Sequence, residues 1–528
     1  MNDPTLRRLA LGTLLPAFAG RYPPAWASRL VERGLAGFAL FGYNIADPAQ
    51  VAALTAALRA ARPDVIVATD EEGGDVTRLR YAEGSPYPGN AALGVVDDVE
   101  LTRLIYRAIG AELASAGITL DMAPAVDVNS AEDNPAIGTR SFGTDPALVA
   151  RHGAAAVAGL REAGIAACAK HFPGHGATAE DSHLGLPVVD VPLTTLAVRE
   201  LPPFVAAIGA GVPAIMTAHI RVPVLTGDAP ATFSRPALAG LLRTDLGFTG
   251  AIVSDALEMS GASGAIGIPE AAVRALVAGN DLLCFGGELA KGPHNEAVIE
   301  ATATAIVAAV RDGRLGASEL ELAVTRNAVL AGAGAALVGA EAVAEAGVTG
   351  TGPDLIGAAH QTGDPLAGLR GPGLGGPGLG GPVLGGPGLG LAAARRALRI
   401  EGTLPGSLAQ SLIIQLEPAA TLAVGEVPWG LSPYVADVFS VRPTDADAIV
   451  LGNRAGGRPI IVVSRDTHRH PWARALVERL SAGHPEVVLV EMGWPAAWRP
   501  AGVRAYVATY GAARANARAA AEVLAVAL

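Results

Sequence analysis

AACAKHFPGHGATAEDSHLGLP, residues 166–187, begins as one kind of segment and ends as another. AACAKHF has no charged side chain before Lys170, so it reads as a strand buried on both faces, the habit of parallel sheets. Lys170 and His171 stand at its C-terminal end. Pro173, Gly174 and Gly176 then interrupt any regular structure. The loop that follows adds His175, Glu180, Asp181 and His183. A buried strand that opens into a titratable loop places chemistry on the rim of a parallel sheet.

The same unit recurs. Apolar runs lie at 9–16, 37–41, 65–70, 120–124, 214–220, 251–256 and 281–286, with Ala/Leu-rich helical patterns between them, as at 97–117 and 145–164. With 166–172 the runs number eight, and eight βα units in about 300 residues indicate a (β/α)8 barrel. Asp70 ends the third run, Lys170 and His171 the fifth, His219 the sixth and Asp255 the seventh. In such barrels the active site lies at that end of the strands.

Beyond the barrel, helical patterns at 291–313 and 317–331 are expected to pack against it. Residues 371–390, GPGLGGPGLGGPVLGGPGLG, are tandem five-residue copies. Glycine does not recur at every third place, which excludes collagen, and the uncharged Gly/Pro composition reads as a linker. Strand-like runs at 411–416, 447–452, 459–465, 486–492 and 505–510 alternate with helical segments near 472–483 and 513–528. They indicate a second α/β domain with an open, mostly parallel sheet. The expected organisation is a barrel over 1–340, a linker over 341–394 and a C-terminal domain over 395–528.

The chain has 528 residues and a net charge of −11, which argues against a general nucleic-acid binder. Half of the residues are hydrophobic but only 4% are aromatic, so the core must be aliphatic. Cys168 and Cys284 both fall in buried-strand runs, which fits a reducing, cytoplasmic setting. LRRLALGTLLPAFAG (6–20) imitates a secretion signal, but Pro16 interrupts its short apolar run, so it reads as the first strand and loop. No unbroken run reaches the roughly 20 apolar residues of a membrane helix. A monomer or small homo-oligomer without nucleic-acid or membrane partners is expected.

Three chemistries compete for the loop. His171 and His175 have the i, i+4 spacing of a zinc motif, but Pro173, Gly174 and Gly176 remove the helix that motif needs, so no metal is expected. PGHG lacks the spacing of a nucleotide-phosphate loop. Proton transfer needs a titrating group and an orienting partner, and Asp181-Ser-His183 supplies both. An arbitrary D-x-H is more often a capped turn beside a loop histidine. Asp255 reads equally as a reactive carboxylate or as half of an ion pair with Lys170 or Arg140.

KHFPGHG (170–176), DSH (181–183) and the strand ending in SDALEM (254–259) together resemble glycoside hydrolase family 3, specifically its β-N-acetylglucosaminidase branch in the two-domain form. DEEGGDVTR (70–78) and DVNSAEDNPAIGTRSFG (127–143) resemble further family segments. The resemblance implies that Asp255 is the nucleophile, His183 the general acid/base and Asp181 its dyad partner. It places Asp70, Arg140, Lys170 and His171 at sugar-binding positions, with His219 on the pocket wall. Lys170 and Arg140 would also keep Asp255 ionised. Ala177 and Glu71 depart from the family pattern, which often has Asp or Asn and Gln there.

The implied activity is retaining, exo hydrolysis of terminal N-acetylglucosaminyl residues from cell-wall fragments or chitin-derived oligosaccharides, without a cofactor. A phosphorylase of the same family is the alternative, because a histidine would not repel an anionic acceptor. From other classes come a non-catalytic sugar-binding barrel and a zinc hydrolase.

Overall fold

The computed structural model describes residues 3–180, 185–264, 266–287, 295–332, 387–421, 423–445 and 455–526. Each of the eight apolar runs contributes a strand: β1 (Leu14–Pro16), β2 (Gly37–Leu40), β3 (Ile66–Thr69), β4 (Leu120–Asp121), β5 (Ala166–Phe172), β6 (Ala214–Thr217), β7 (Ala251–Ser254) and β8 (Leu283–Phe285). β2 to β7 form a parallel sheet in chain order, and β1 pairs in parallel with β8. A bridge from Val253 to Leu282 joins β7 to β8, and Ala36 N–H donates to Leu11 O beside β1 and β2. The curled sheet and its surrounding helices are the expected barrel.

Successive residues face opposite ways along each strand. Leu15, Ala68, Cys168, Met216, Val253 and Cys284 fill the barrel interior. Their preceding neighbours Leu14, Val67, Ala167, Ile215, Ile252 and Leu283 pack outward in the layer under the helices. This is how a core poor in aromatics is filled: small residues line the axis, and Met122 and Met216 occupy the remaining space. Both cysteines are buried, free thiols.

The first run differs from its expectation. Pro4–Leu11 is a helix, and the strand shrinks to Leu14–Pro16. Asp3 caps that helix by accepting from the Thr5 and Leu6 amides, and Pro4 occupies its first turn. An Asp-Pro start is a helix signal that the apolar run concealed.

The second domain has six strands: β9 (Arg399–Gly402), β10 (Leu412–Leu416), β11 (Val438–Val441), β12 (Ile460–Ser464), β13 (Val487–Glu491) and β14 (Ala505–Ala508), in the order β11-β10-β12-β13-β14-β9. All pairs are parallel except β14 with β9. β9 and β11 were not anticipated: all four residues of β9 are exposed, and β11 buries only Val441. The expected strand at 447–452 lies outside the described residues, as does 371–386 of the Gly/Pro repeat. The repeat's last four residues instead open a helix, Pro387–Ala397. Gly390 lets that helix touch the barrel, for a Cβ there would stand 2.0 Å from Pro86 O.

Loops at the C-terminal ends of β10, β12, β13 and β14 meet the barrel. Arg78 donates to Ala423 O and Val424 O after β10, and Asp75 accepts from Ala512 N–H after β14. Arg465, after β12, pairs with Asp75, and Ala497, after β13, donates to the Glu132 carboxylate.

Met216 is 3% exposed inside the barrel. Met216→Ala is expected to cost about 2–5 kcal/mol, because the surrounding strands cannot close on the space left. Urea unfolding followed by circular dichroism would measure it.

Candidate functional site

Lys170 lies near the C-terminal end of β5 with its side chain only 2% exposed. Its Nζ is 2.6 Å from Asp70 Oδ1 and 2.7 Å from Glu72 Oε1. Asp70 directly follows β3, the neighbour of β4, so the pairing spans two barrel rungs. Glu72 also receives the Arg140 fork: Nη2 reaches Oε1 at 2.7 Å and Nε reaches Oε2 at 2.9 Å. Burial pushes the Glu72 carboxyl up, but Arg140 and Lys170 outweigh it and hold the group well below the carboxylate range. Burial pulls the Lys170 ammonium down, but Asp70 and Glu72 more than reverse this. Glu72, Lys170 and Arg140 are therefore charged at neutral pH.

His171 joins from the next position, across a cis peptide. Its Nδ1 is 2.7 Å from Asp127 Oδ2, and its Nε2 is 3.2 Å from Arg140 Nη2. A proton on Nδ1 satisfies both contacts, since Nε2 then accepts from the guanidinium. Asp127 Oδ1 also accepts the His171 and His175 amides at 3.2 and 2.7 Å. Burial raises the Asp127 carboxyl, yet the His171 ring and these bonds leave it below its ordinary value. Asn134 donates to His175 O at 2.9 Å. Gly176 completes the seat: a Cβ there would come within 1.9 Å of Val128 O. The root of the 173–180 loop is thus fixed to the 127–134 segment. His175 is buried and falls to about 4, chiefly by desolvation, so it is neutral at neutral pH and serves the loop's seat.

Asp255 is half-buried immediately after β7, with its N–H on Thr217 O and its Oδ1 accepting Ala256 N–H at 2.7 Å. Asp181 and His183 lie outside the described residues. Lys170 pairs with Asp70 and Glu72, and Arg140 with Glu72. His219 is fully buried: Nδ1 is 2.8 Å from Thr232 Oγ1 and Nε2 is 3.0 Å from Ala256 O. It braces the turn after Asp255 from behind, in place of the pocket wall expected for it.

Glu72, Asp127 and Arg78 were missed by the sequence reading. Glu72 lies two positions after Asp70, so the D-E-E run itself was a signal of two carboxylates at one strand end. Arg78 is nearly buried, with Nη2 4.0 Å from Asp70 Oδ2. Glu71, between the two acids, turns away from them. Its Oε2 accepts the Arg78 and Leu79 amides at 2.9 and 2.8 Å, and its own N–H donates to the buried Asp121. Burial raises the Glu71 carboxyl to about 7 against the pull of Thr77 and those amides.

Two outcomes are expected. Lys170→Met leaves Asp70 and Glu72 without their shared cation and should destabilise the chain by about 3–5 kcal/mol in chemical denaturation. Glu71 has a folded value of about 7 against an ordinary 4.5, so between those pH values the folded chain keeps a proton that the unfolded chain releases. Stability therefore falls as pH rises through that window. Glu71→Gln abolishes that fall: it should melt with the unaltered chain at low pH and about 2–4 °C above it at pH 8, by differential scanning calorimetry.

Residues 17–330 match the glycosyl hydrolase family 3 N terminal domain. β-Hexosaminidase A of Pseudoalteromonas piscicida is 37% identical over 282 residues, which are 49% of this chain and 47% of that protein. The chain thus aligns with about half the length of that relative. β-Hexosaminidase LpqI of Mycobacterium tuberculosis is 38% identical over 272 residues, 50% of this chain and 68% of the relative. A solved glycoside hydrolase family 3 β-N-acetylglucosaminidase from Paenibacillus sp. str. FPU-7 superposes with a TM-score of 0.78 at 29% identity, covering 99% of this chain and 97% of that one, so the likeness includes the second domain. With residues 17–330, which hold strands β2 to β8, matched to the family's N terminal domain, the chain belongs to glycoside hydrolase family 3.

Proposed function

We propose that the chain is a retaining exo-β-N-acetylglucosaminidase that removes terminal N-acetylglucosaminyl residues from cell-wall fragments or chitin-derived oligosaccharides. The observation that carries this reading is the charged cluster at the strand ends: Asp70, Lys170, Arg140 and His171 are interlocked with Glu72 and Asp127, on the same rim as Asp255. A sugar presents hydroxyls that both donate and accept, and such a rim of fixed donors and acceptors matches them. The relatives named as β-hexosaminidases support the amino-sugar preference.

The reaction takes two steps. Asp255 carboxylate attacks the anomeric carbon while His183 gives its proton to the glycosidic oxygen, and the aglycone leaves as an alcohol. His183 then takes a proton from water, whose oxygen displaces Asp255 from the anomeric carbon. Two inversions restore the starting configuration. Asp181 fixes the His183 tautomer and stabilises its imidazolium form. A histidine with an unperturbed pKa near ~6.5 can both give and take a proton near neutrality.

Assay with an aryl β-N-acetylglucosaminide tests the assignment. Asp255→Ala and His183→Ala should each lose at least about a hundredfold in kcat/KM. In phosphate buffer, mass spectrometry should find the free sugar and no sugar 1-phosphate. Full activity in Asp255→Ala would sink the assignment.

A further inference from the structure

We propose that the C-terminal domain is a working part of the sugar site, and that it acts through Asp75, a positioning residue for Arg140. The proposal rests on the hydrolase reading above. Asp75 belongs to the same short segment as Asp70 and Glu72, but Gly73 and Gly74, at φ of 71° and 61°, reverse the chain between them. Glu72 consequently faces the sugar rim, while Asp75 faces the second domain. Gly74 has no alternative there, for a Cβ would meet Gly89 Cα at 2.4 Å.

The Asp75 side chain is only 2% exposed. Its Oδ1 accepts the Ala512 N–H at 2.7 Å, and Oδ2 lies 3.3 Å from Arg465 Nη2. Both of these partners belong to the second domain. Oδ2 also accepts from Thr139 Oγ1 at 2.8 Å, and Thr139 immediately precedes Arg140 in the short turn Gly138–Arg140. One carboxylate therefore joins the second domain to the turn that aims the arginine at Glu72 and His171.

The same barrel loop is gripped again upstream. His468 Nε2 is 3.2 Å from Glu132 O, and Ala497 N–H donates to the Glu132 carboxylate. Trp494 packs its Cβ beside Gly138. Loops after β12 and β13 thus converge on residues 132–138, and the loop after β14 reaches Thr139 through Asp75. A domain that only needed to be attached could use any face of the barrel; this one holds the loop that carries a sugar-binding arginine.

The test uses the full-length chain: unaltered, Arg465→Ala, Arg465→Lys, Thr139→Val and the Arg465→Ala/Thr139→Val double variant, each assayed on the aryl β-N-acetylglucosaminide with its melting temperature. Arg465 belongs to the second domain and is linked to Arg140 through Asp75 and Thr139. Arg465→Ala should raise KM about tenfold with kcat changed less than about threefold, the mark of lost uniform binding. Arg465→Lys should recover most of that loss. Since both substitutions cut one path, the double variant should be no worse than the weaker of the two single ones. A KM within twofold of the unaltered chain in Arg465→Ala and Thr139→Val, whatever happens to the melting temperature, overturns the proposal; so do effects that multiply. An inactive unaltered chain overturns the hydrolase reading itself, and an active one whose KM ignores Arg465 overturns this inference alone.

Discussion

An ammonium and a guanidinium cannot be taken out of water singly, and that requirement organises the rim of this barrel. Lys170 is 2% exposed and Arg140 10%. Burying either without a partner would cost several kcal/mol. Glu72 meets the requirement for both, with Asp70 as the second acceptor for Lys170. The ends of β3 and β5 and the loop before Arg140 are therefore locked to one another by charge. Lys170 has three N–H donors and directs two at these carboxylates. The cluster is at once a structural necessity and a prepared surface for a polar ligand.

His171 and Asp127 extend the same logic. The carboxylate fixes the ring tautomer, and its other oxygen accepts two loop amides. Seating the histidine and seating the loop are one act. Removing Asp127 would release both, which is why a side chain in a segment quoted only for its resemblance turns out to hold the geometry together.

The barrel was legible because its signal is local. Each strand is a short apolar run whose alternate residues face the axis or the helices, and the polar residues gather at one end. The edge strands β9 and β11 carried no such run, because an edge need not be buried on both faces. The N-terminal helix was hidden by its own apolar residues, although Asp3 and Pro4 announced its start. In the site, sequence order recovered residues at strand ends but not their partners. Asp127 stands 44 residues from His171, and Glu72 stands 98 from Lys170; only the closing of the sheet brings them within hydrogen-bond range. His219 shows the converse error. A histidine at a strand end looked functional, yet its two nitrogens reach Thr232 and Ala256 inside the fold.

An open parallel sheet ordinarily offers the C-terminal ends of its strands to a ligand. In the second domain that edge meets the barrel loops that hold Asp75, Arg78 and Glu132. Glu491, at the end of β13, shows what the arrangement demands. Burial raises its carboxyl to about 7, while Oε1 accepts the Asp466 and Gly493 amides and Oε2 accepts the Thr467 amide and hydroxyl. Those four bonds shape the two loops that carry Arg465's neighbour Asp466, His468 and Trp494 to the barrel. A carboxyl with both oxygens so engaged, 2% exposed, is not placed to meet a glycosidic oxygen. The second domain's buried acid supports the docking surface.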